Sequence, residues 1–599
     1  MIRGLLTGAN KAFADVKRLN RQDWIRYLKS PRCIFALILT FCILSITFTH
    51  VPGQSFFWTS ETTKCSSKFV EKYTSLEQIG AIKIFKDFES PDVEKNSDVI
   101  LGNGHVMLSA FDPTDVSITY QDNRHVIPFD MSWDIEIENS KERLGNAYID
   151  YRTGVLTKST CHGVFDNCLH VSHKMLVHRS QPNLFLQTMR FTWTGFHLHE
   201  VEILINPPTP KSTIKNVKTT EKTEEYTYRI ASGLYAAIIT EILPESFLLK
   251  GDEKTKLLSQ KIVFGMAKTS ESALEVARKN MKAAQEQSDL KLIEDHEQAW
   301  KDLLHTGIHL DPDDPDPHHI IPRAQLVNST VHSIMAVTPS KTQSQALGED
   351  YQLIPNAPIM TPDYCYNGVA TLHSNSLWKD VLTIDEAFAL RDSWQLTLKN
   401  HGCSGLVYAG AEGLLQAMVL SFAGLQFTSE HLALGTDPEV LHNEIGLSNI
   451  RYKNSSIDIY LIKEDGIELP EIHVTARKLS KFAEKIYACE AGCMLQIEPI
   501  SAEDMKFPIF VTKPATPILY ISHSREHLDL LQHTLHVESK ISHAEHYSSH
   551  SSGISVYFWY FFGAFFFLFH FCLIRLVLKE YWSWGSTPQQ YSYRFRLQP

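Results

Sequence analysis

The chain has 599 residues, 43% hydrophobic and 21% charged, with a formal charge of −11. Residues 1–32 hold eight basic against two acidic residues, and residues 575–599 four against one, which leaves −20 for the stretch between. So acidic a body repels phosphate backbones and excludes nucleic acid as a partner. Its length suffices for a sizeable core divided among two or three domains.

Residues 1–32 read as a cytosolic basic leader. The next stretch, 33–49 (CIFALILTFCILSITFT), is short for a membrane span and long for a signal-peptide core. The basic flank holds the N-terminus in the cytosol, and no clean small-x-small cleavage site follows. An uncleaved signal anchor is therefore expected, with a cleaved signal peptide as the alternative. In either case the rest of the body enters the secretory lumen.

Residues 50–98 form a lead-in with helix around Phe69–Ile79. Across 99–270 the texture is β: runs such as Phe185-Leu-Gln-Thr-Met-Arg-Phe-Thr-Trp and Glu200-Val-Glu-Ile-Leu-Ile alternate with period two. Turn signals such as Gly102-Asn-Gly and Asn206-Pro-Pro separate them, which predicts a large antiparallel sandwich. Residues 271–425 are a reduced helical region, with helices over Glu271–Thr306, Ile321–Val337, Leu377–Asn400 and Ala411–Leu425. Alternation returns in 426–521, clearest in Ile457-Asp-Ile-Tyr-Leu-Ile, and predicts a C-terminal β unit.

Residues 522–552 are a His-rich stalk holding His523, His527, His533, His536, His543, His546 and His550. Imidazoles charge as the secretory pathway acidifies, so these residues are candidate pH sensors, against a plain solvated stalk as the alternative. Residues 553–578 then run without a charge from Ile554 to Ile574, enough to cross a hydrocarbon core of about 30 Å as a helix. Aromatic residues at both ends suit the bilayer interfaces, and Arg575 and Lys579 mark the cytosolic flank of a tail over 579–599. The fold class predicted is β-rich α+β with terminal transmembrane helices.

Seven cysteines lie outside the apolar segments: Cys65, Cys161, Cys168, Cys365, Cys403, Cys489 and Cys493. The hairpin spacing of Cys161 and Cys168 makes them the preferred disulfide, with Cys489–Cys493 second. Cys365 and Cys403 are expected to be paired or simply buried. The sequons at Asn328 and Asn454 are expected to carry glycans. No P-loop, dinucleotide fingerprint or HExxH motif occurs, so neither cofactor nor metal is expected.

Gly102-Asn-Gly, Asp150-Tyr-Arg-Thr-Gly-Val-Leu-Thr-Lys and Val171-Ser-His-Lys-Met-Leu-Val-His-Arg-Ser-Gln-Pro-Asn-Leu resemble strand motifs of the maltose-phosphorylase and acid-trehalase glycoside hydrolases. Trp300, Gly307-Ile-His-Leu and Glu412-Gly-Leu-Leu-Gln-Ala are similar to segments flanking the helical barrel of those enzymes. With its anchors, the chain also resembles an animal family of membrane glycoproteins known as a domain of unknown function. The enzyme resemblance implies a barrel of six helical hairpins, but residues 296–427 are too few for twelve helices of about 11 residues with connections of about 4–6. The family's general-acid segment has no counterpart here.

Asp363, Asp380, Asp385, Glu386 and Asp392 supply carboxylates. Inverting hydrolysis needs an acid and a base on opposite sides of the bond, and Asp363 and Asp380 are the catalytic candidates. Helix capping and solvation are the alternative role for the group. The expectation is a non-catalytic, hydrolase-like glycoprotein of the endoplasmic reticulum or Golgi membrane, binding a lumenal protein or glycan. An active α-glucoside hydrolase or phosphorylase, and a structural subunit of a membrane complex, are the alternatives.

Overall fold

The computed structural model describes residues 61–88, 99–164, 167–193, 200–206, 213–250, 254–311, 322–347, 359, 364–437, 444–462, 471–481, 483–539 and 556–583. The basic leader, the apolar stretch 33–49, Asp363, His543, His546 and His550 lie outside them.

A nine-stranded antiparallel sheet dominates the first half. Its middle strands, Ser140–Asp150, Val155–Val164, Asn167–Val177, Leu184–Trp193 and Thr255–Ala267, pair as neighbours. One face carries Met175, Val177, Phe185, Ile262 and Phe264, which pack against Leu101, Val106, Val116 and Ile118 of a four-stranded sheet. Further along the same face Val171, Met189 and Phe191 meet Ile137, Ile203 and Leu249 of a three-stranded sheet. The predicted sandwich is therefore present, with two smaller sheets sharing one face of the large one. Each residue of period-two texture that points inward is buried, as side-chain alternation along a strand requires.

Helices cover the opposite face. Helix Ser270–Gln285 starts at Thr269, whose side chain accepts from the Ser272 amide, and it buries Ala273, Leu274, Ala277, Met281 and Ala284. Gly265 of the sheet lies so close beneath it that an added methyl would overlap the Ala273 carbonyl, so the strand and helix touch through backbone. Helix Glu61–Gln78 lies over the strands around Tyr148 and His170, burying Thr62 and Phe69. The single helix expected over Glu271–Thr306 is two, because Ser288 caps a second start and opens Asp289–Leu303.

A second large core joins helices Ala324–Ala336, Ile384–Asn400 and Gly410–Phe422 to the C-terminal β unit. Gly410–Phe422 is buried on nearly every side, as a helix apolar all round must be. The β unit consists of two five-stranded antiparallel sheets, one of which recruits strand Gly307–Leu310 from ahead of the helices. Helix Val556–Ser583 is, among the described residues, the one long and apolar enough to cross a membrane, with mean hydropathy 2.2 over Tyr560–Lys579.

Candidate functional site

The residues of the three strand motifs converge on one buried knot. The Asn103 side chain donates to the carbonyls of His178 and Pro182 at 2.8 and 3.0 Å, and its Oδ1 accepts from the amides of His105 and Val106. Nε2 of His105 lies 2.8 Å from Asn183 Oδ1. Gly104, at φ +92, touches the backbone of Thr338 and Pro339 where a side chain would collide. Gly154, at φ +63, lies equally close to the Trp300 indole.

The guanidinium of Arg179 sits 4.6 Å from the Trp300 ring and donates to the Met335 carbonyl at 3.1 Å. The Arg179 amide donates to Nδ1 of His296, and the amides of Ser180 and Gln181 donate to Nδ1 of His178. An Nδ1 that accepts must lack a proton, so these rings are neutral. Burial pushes His105, His178 and His332 down to about 4, and holds His296 well below the ordinary imidazole range. Burial likewise pulls Arg179 down to about 10, opposed by the nearby Glu412 charge. The motifs thus build a closed joint between the sandwich and the helices.

The candidate carboxylates among the described residues each have partners. Asp380 accepts from Ser329 Oγ at 2.7 Å and lies 3.5 Å from Lys83 Nζ. Asp385 pairs with Arg124, and Asp392 with Arg391. Glu386 accepts from the Leu382 amide at 2.9 Å while Thr383 caps the same helix start. This is the helix-capping role weighed above.

The cleft with binding chemistry lies elsewhere, between the two smaller sheets and above the large one. Its floor is the same-face row Lys158, His173 and Met189, set by direct cross-strand register. Trp133 forms one wall, stacked on His173 at 5.5 Å with its Nε1 donating to Gln260. Phe88 and Phe111 form the other, with Lys158 Nζ over both rings at 5.7 and 5.3 Å. Burial, and then the charge of Lys158, push His173 down to about 3. The cleft has a volume of about 130 Å³, and among the described residues no carboxylate lines it. Sequence reasoning missed it, since its rings come from four separate stretches of chain.

A second cavity, of about 250 Å³, is largely apolar. Its polar lining is already engaged: Arg152 forks onto Asp150, His309 Nε2 lies 2.9 Å from Ser448 Oγ, and Asn328 donates to the Gly80 carbonyl at 3.0 Å. Asn328 therefore stands half-buried inside a helix, whereas Asn454 is exposed at φ +64 in the turn between Ile445–Tyr452 and Ser455–Ile462.

The histidines of the expected stalk part company. His527 Nε2 bonds His431 Nδ1 at 2.8 Å with the rings stacked, and burial, then His527, push His431 down to about 4. His523 packs against Tyr452 with Nδ1 3.7 Å from Glu484, while His533 and His536 are exposed.

The expected Cys161–Cys168 disulfide is replaced by Cys65–Cys161. Gly163, not Cys161, stands opposite Cys168 in the hairpin register, and helix Glu61–Gln78 brings Cys65 to Cys161 from above. Cys365–Cys403 and Cys489–Cys493 are also bonded. Cys489 lies on strand Ile486–Glu490 and Cys493 sits at φ +50 in the tight turn that follows, so the spacing of four spans a strand end and a turn and not an α-helix.

The profile of the family described as "Uncharacterized conserved protein (DUF2152)" matches residues 16–594. The chain belongs to this family. Similar relatives are the "Uncharacterized protein KIAA2013 homolog" of Xenopus laevis and that of Xenopus tropicalis. They are 30% identical over 444 and 442 residues, covering 70% of this chain and 72% of each relative. Among solved structures, "Putative kojibiose phosphorylase from human microbiome" matches at TM-score 0.33 and 11% identity, covering 42% of each chain. A bacterial glucoamylase complexed with acarbose matches at TM-score 0.23 and 9% identity, covering 43% of this chain and 44% of that one. At these values neither match bears on site or substrate.

Proposed function

We propose that this family member is a membrane-tethered lumenal glycoprotein of the secretory pathway that binds a glycan without turning it over. The observation that carries the reading is the aromatic cleft on the large sheet, lined by the rings of Trp133, Phe88 and Phe111 and by the polar side chains of Lys158, Ser132 and Thr160. Ring faces with a few placed polar groups are what a small polar–apolar ligand such as a sugar needs. At about 130 Å³ the cleft is below the roughly 300–1,000 Å³ of drug-sized pockets, which suits a single terminal sugar. Three disulfides between residues 65 and 493 fit an oxidising compartment. The apolar helix Val556–Ser583 supplies the tether.

The test is a glycan array with the purified full chain in detergent, with hydrolysis and phosphorolysis assayed on the same panel. Saturable binding without turnover, lost in Trp133→Ala and retained in Asp380→Asn, is expected. Turnover abolished by Asp380→Asn would overturn the reading, and silence on the array would transfer the cleft to a protein ligand.

A further inference from the structure

The sulfurs of Cys65, Cys161 and Cys168 lie within 4.8 Å of one another. Cys65 and Cys161 form a disulfide, and Cys168 is a buried thiol beside it. All three belong to the covered face of the large sheet: Cys161 is on strand Val155–Val164, Cys168 on Asn167–Val177, and Cys65 on the helix above. Cys161 and Cys168 are 1% and 2% exposed, whereas Cys65 is half-buried. The Cys161 partner in register is His170, two residues from Cys168, so the two sheet cysteines are diagonal neighbours across one hairpin.

We propose that this trio is a thiol-exchange site in which Cys168 is the resident nucleophile and Cys65 the outward leaving thiol. In the step, Cys168 gives up its Sγ proton and the thiolate attacks Cys161 Sγ. The Cys161–Cys168 bond forms, the Cys65–Cys161 bond breaks, and Cys65 leaves as a thiolate that takes up the proton. One thiol and one disulfide stand on each side, so no outside oxidant or reductant is required. Exposure decides which sulfur is released: the two enclosed sulfurs pair and the half-buried one faces outward.

Exchange unties the first helix from the sheet. Its other attachments there include the Ser66 hydroxyl, which accepts from Asn146 at 2.6 Å, Glu77, which accepts from the Ile84 amide at 3.0 Å, and the Phe69 and Tyr73 rings at 5.7 and 4.3 Å from Tyr148. Few side chains of this helix are fully buried, so the disulfide is its one covalent tie to the sheet among the described residues. Released, Cys65 becomes a thiol open to modification or to mixed-disulfide formation with a disulfide-bearing partner. The hairpin pairing that the cysteine spacing predicts is then the second of two states of one site.

The experiment uses the full chain in native membranes, treated with N-ethylmaleimide over minutes to hours, the range of uncatalysed disulfide rearrangement. Acid quenching and digestion without reductant precede mass spectrometry. The expected result is maleimide accumulating on Cys65 in step with a Cys161–Cys168 linked peptide. Cys168→Ser, which keeps the resident disulfide, is expected to abolish labelling of Cys65. Cys65→Ser is expected to yield the Cys161–Cys168 link directly. Maleimide on Cys168 with Cys65–Cys161 intact would overturn the proposal. So would an unlabelled wild-type chain whose third thiol appears only after denaturation, an outcome read without any variant having to fold.

Discussion

Acidification is expected to remove a large share of the stability of this fold. His105, His178 and His332 are 2%, 0% and 2% exposed, and burial pushes each down to about 4. In the unfolded chain each returns to about 6.5. The folded value lies below the unfolded one, so the stabilisation is complete above pH 6.5 and is lost as pH falls toward 4, where the folded rings begin to accept protons. Each ring forfeits about 1.4 kcal/mol per pH unit in that window. At pH 5 that is about 2 kcal/mol per ring and about 6 kcal/mol for the three, against a total of about 5–15 kcal/mol for a typical domain. The assay is urea unfolding of the purified chain, followed by tryptophan fluorescence at about pH 7.5, 6.5, 5.5 and 5. The midpoint is expected to fall by roughly half between the extremes, and His332→Gln to lessen the fall. A midpoint at pH 5 equal to or above that at pH 7.5 would refute the assignment of these rings as buried and neutral.

Asn454 and not Asn328 is expected to carry a glycan, because Asn454 is exposed in a turn while the Asn328 amide is committed to the Gly80 carbonyl. Asn454→Gln should abolish the glycosidase-sensitive mobility shift and Asn328→Gln should leave it. Replacing both Cys365 and Cys403 by serine opens a loop of sequence separation 38, and chain entropy sets the loss at about 4 kcal/mol, read as a lower urea midpoint. The Asp380 side chain is 52% exposed and its partner Lys83 29%, so Asp380→Asn is expected to change stability by no more than about 1 kcal/mol. A larger loss on melting would show that the Ser329 bond matters more than its exposure implies.

Sequence periodicity carried the architecture in its coarse form. The alternating runs Phe185–Trp193 and Ile457–Ile462 are strands, and the helices expected at Ile321–Val337 and Ala411–Leu425 begin and end within three residues of those observed. The apolar C-terminal stretch is likewise a helix, since whether a helix is long and apolar enough to match a hydrocarbon core is a matter of its own length and composition. Cysteine pairing did not follow from spacing. A disulfide needs two Cβ atoms brought within a few ångströms, and the partner of Cys161 arrives from 96 residues away on a helix that crosses the sheet.

The roles of the motif residues were also a tertiary matter. Gly102-Asn-Gly and the His178-Arg179 segment were visible as words, yet only the folded contacts of Asn103 with His178 and of Arg179 with Trp300 show that they tie the sandwich to the helices. Lys158 and His173 look in sequence like ordinary strand positions. Direct register makes them neighbours on one face, and Trp133 and Phe111 reach that face from different loops, so the cleft exists only once the strands are paired. Period and composition are local properties that each segment carries by itself. Which distant segments share a face depends on pairing and packing, where the free energy belongs to contacts between segments.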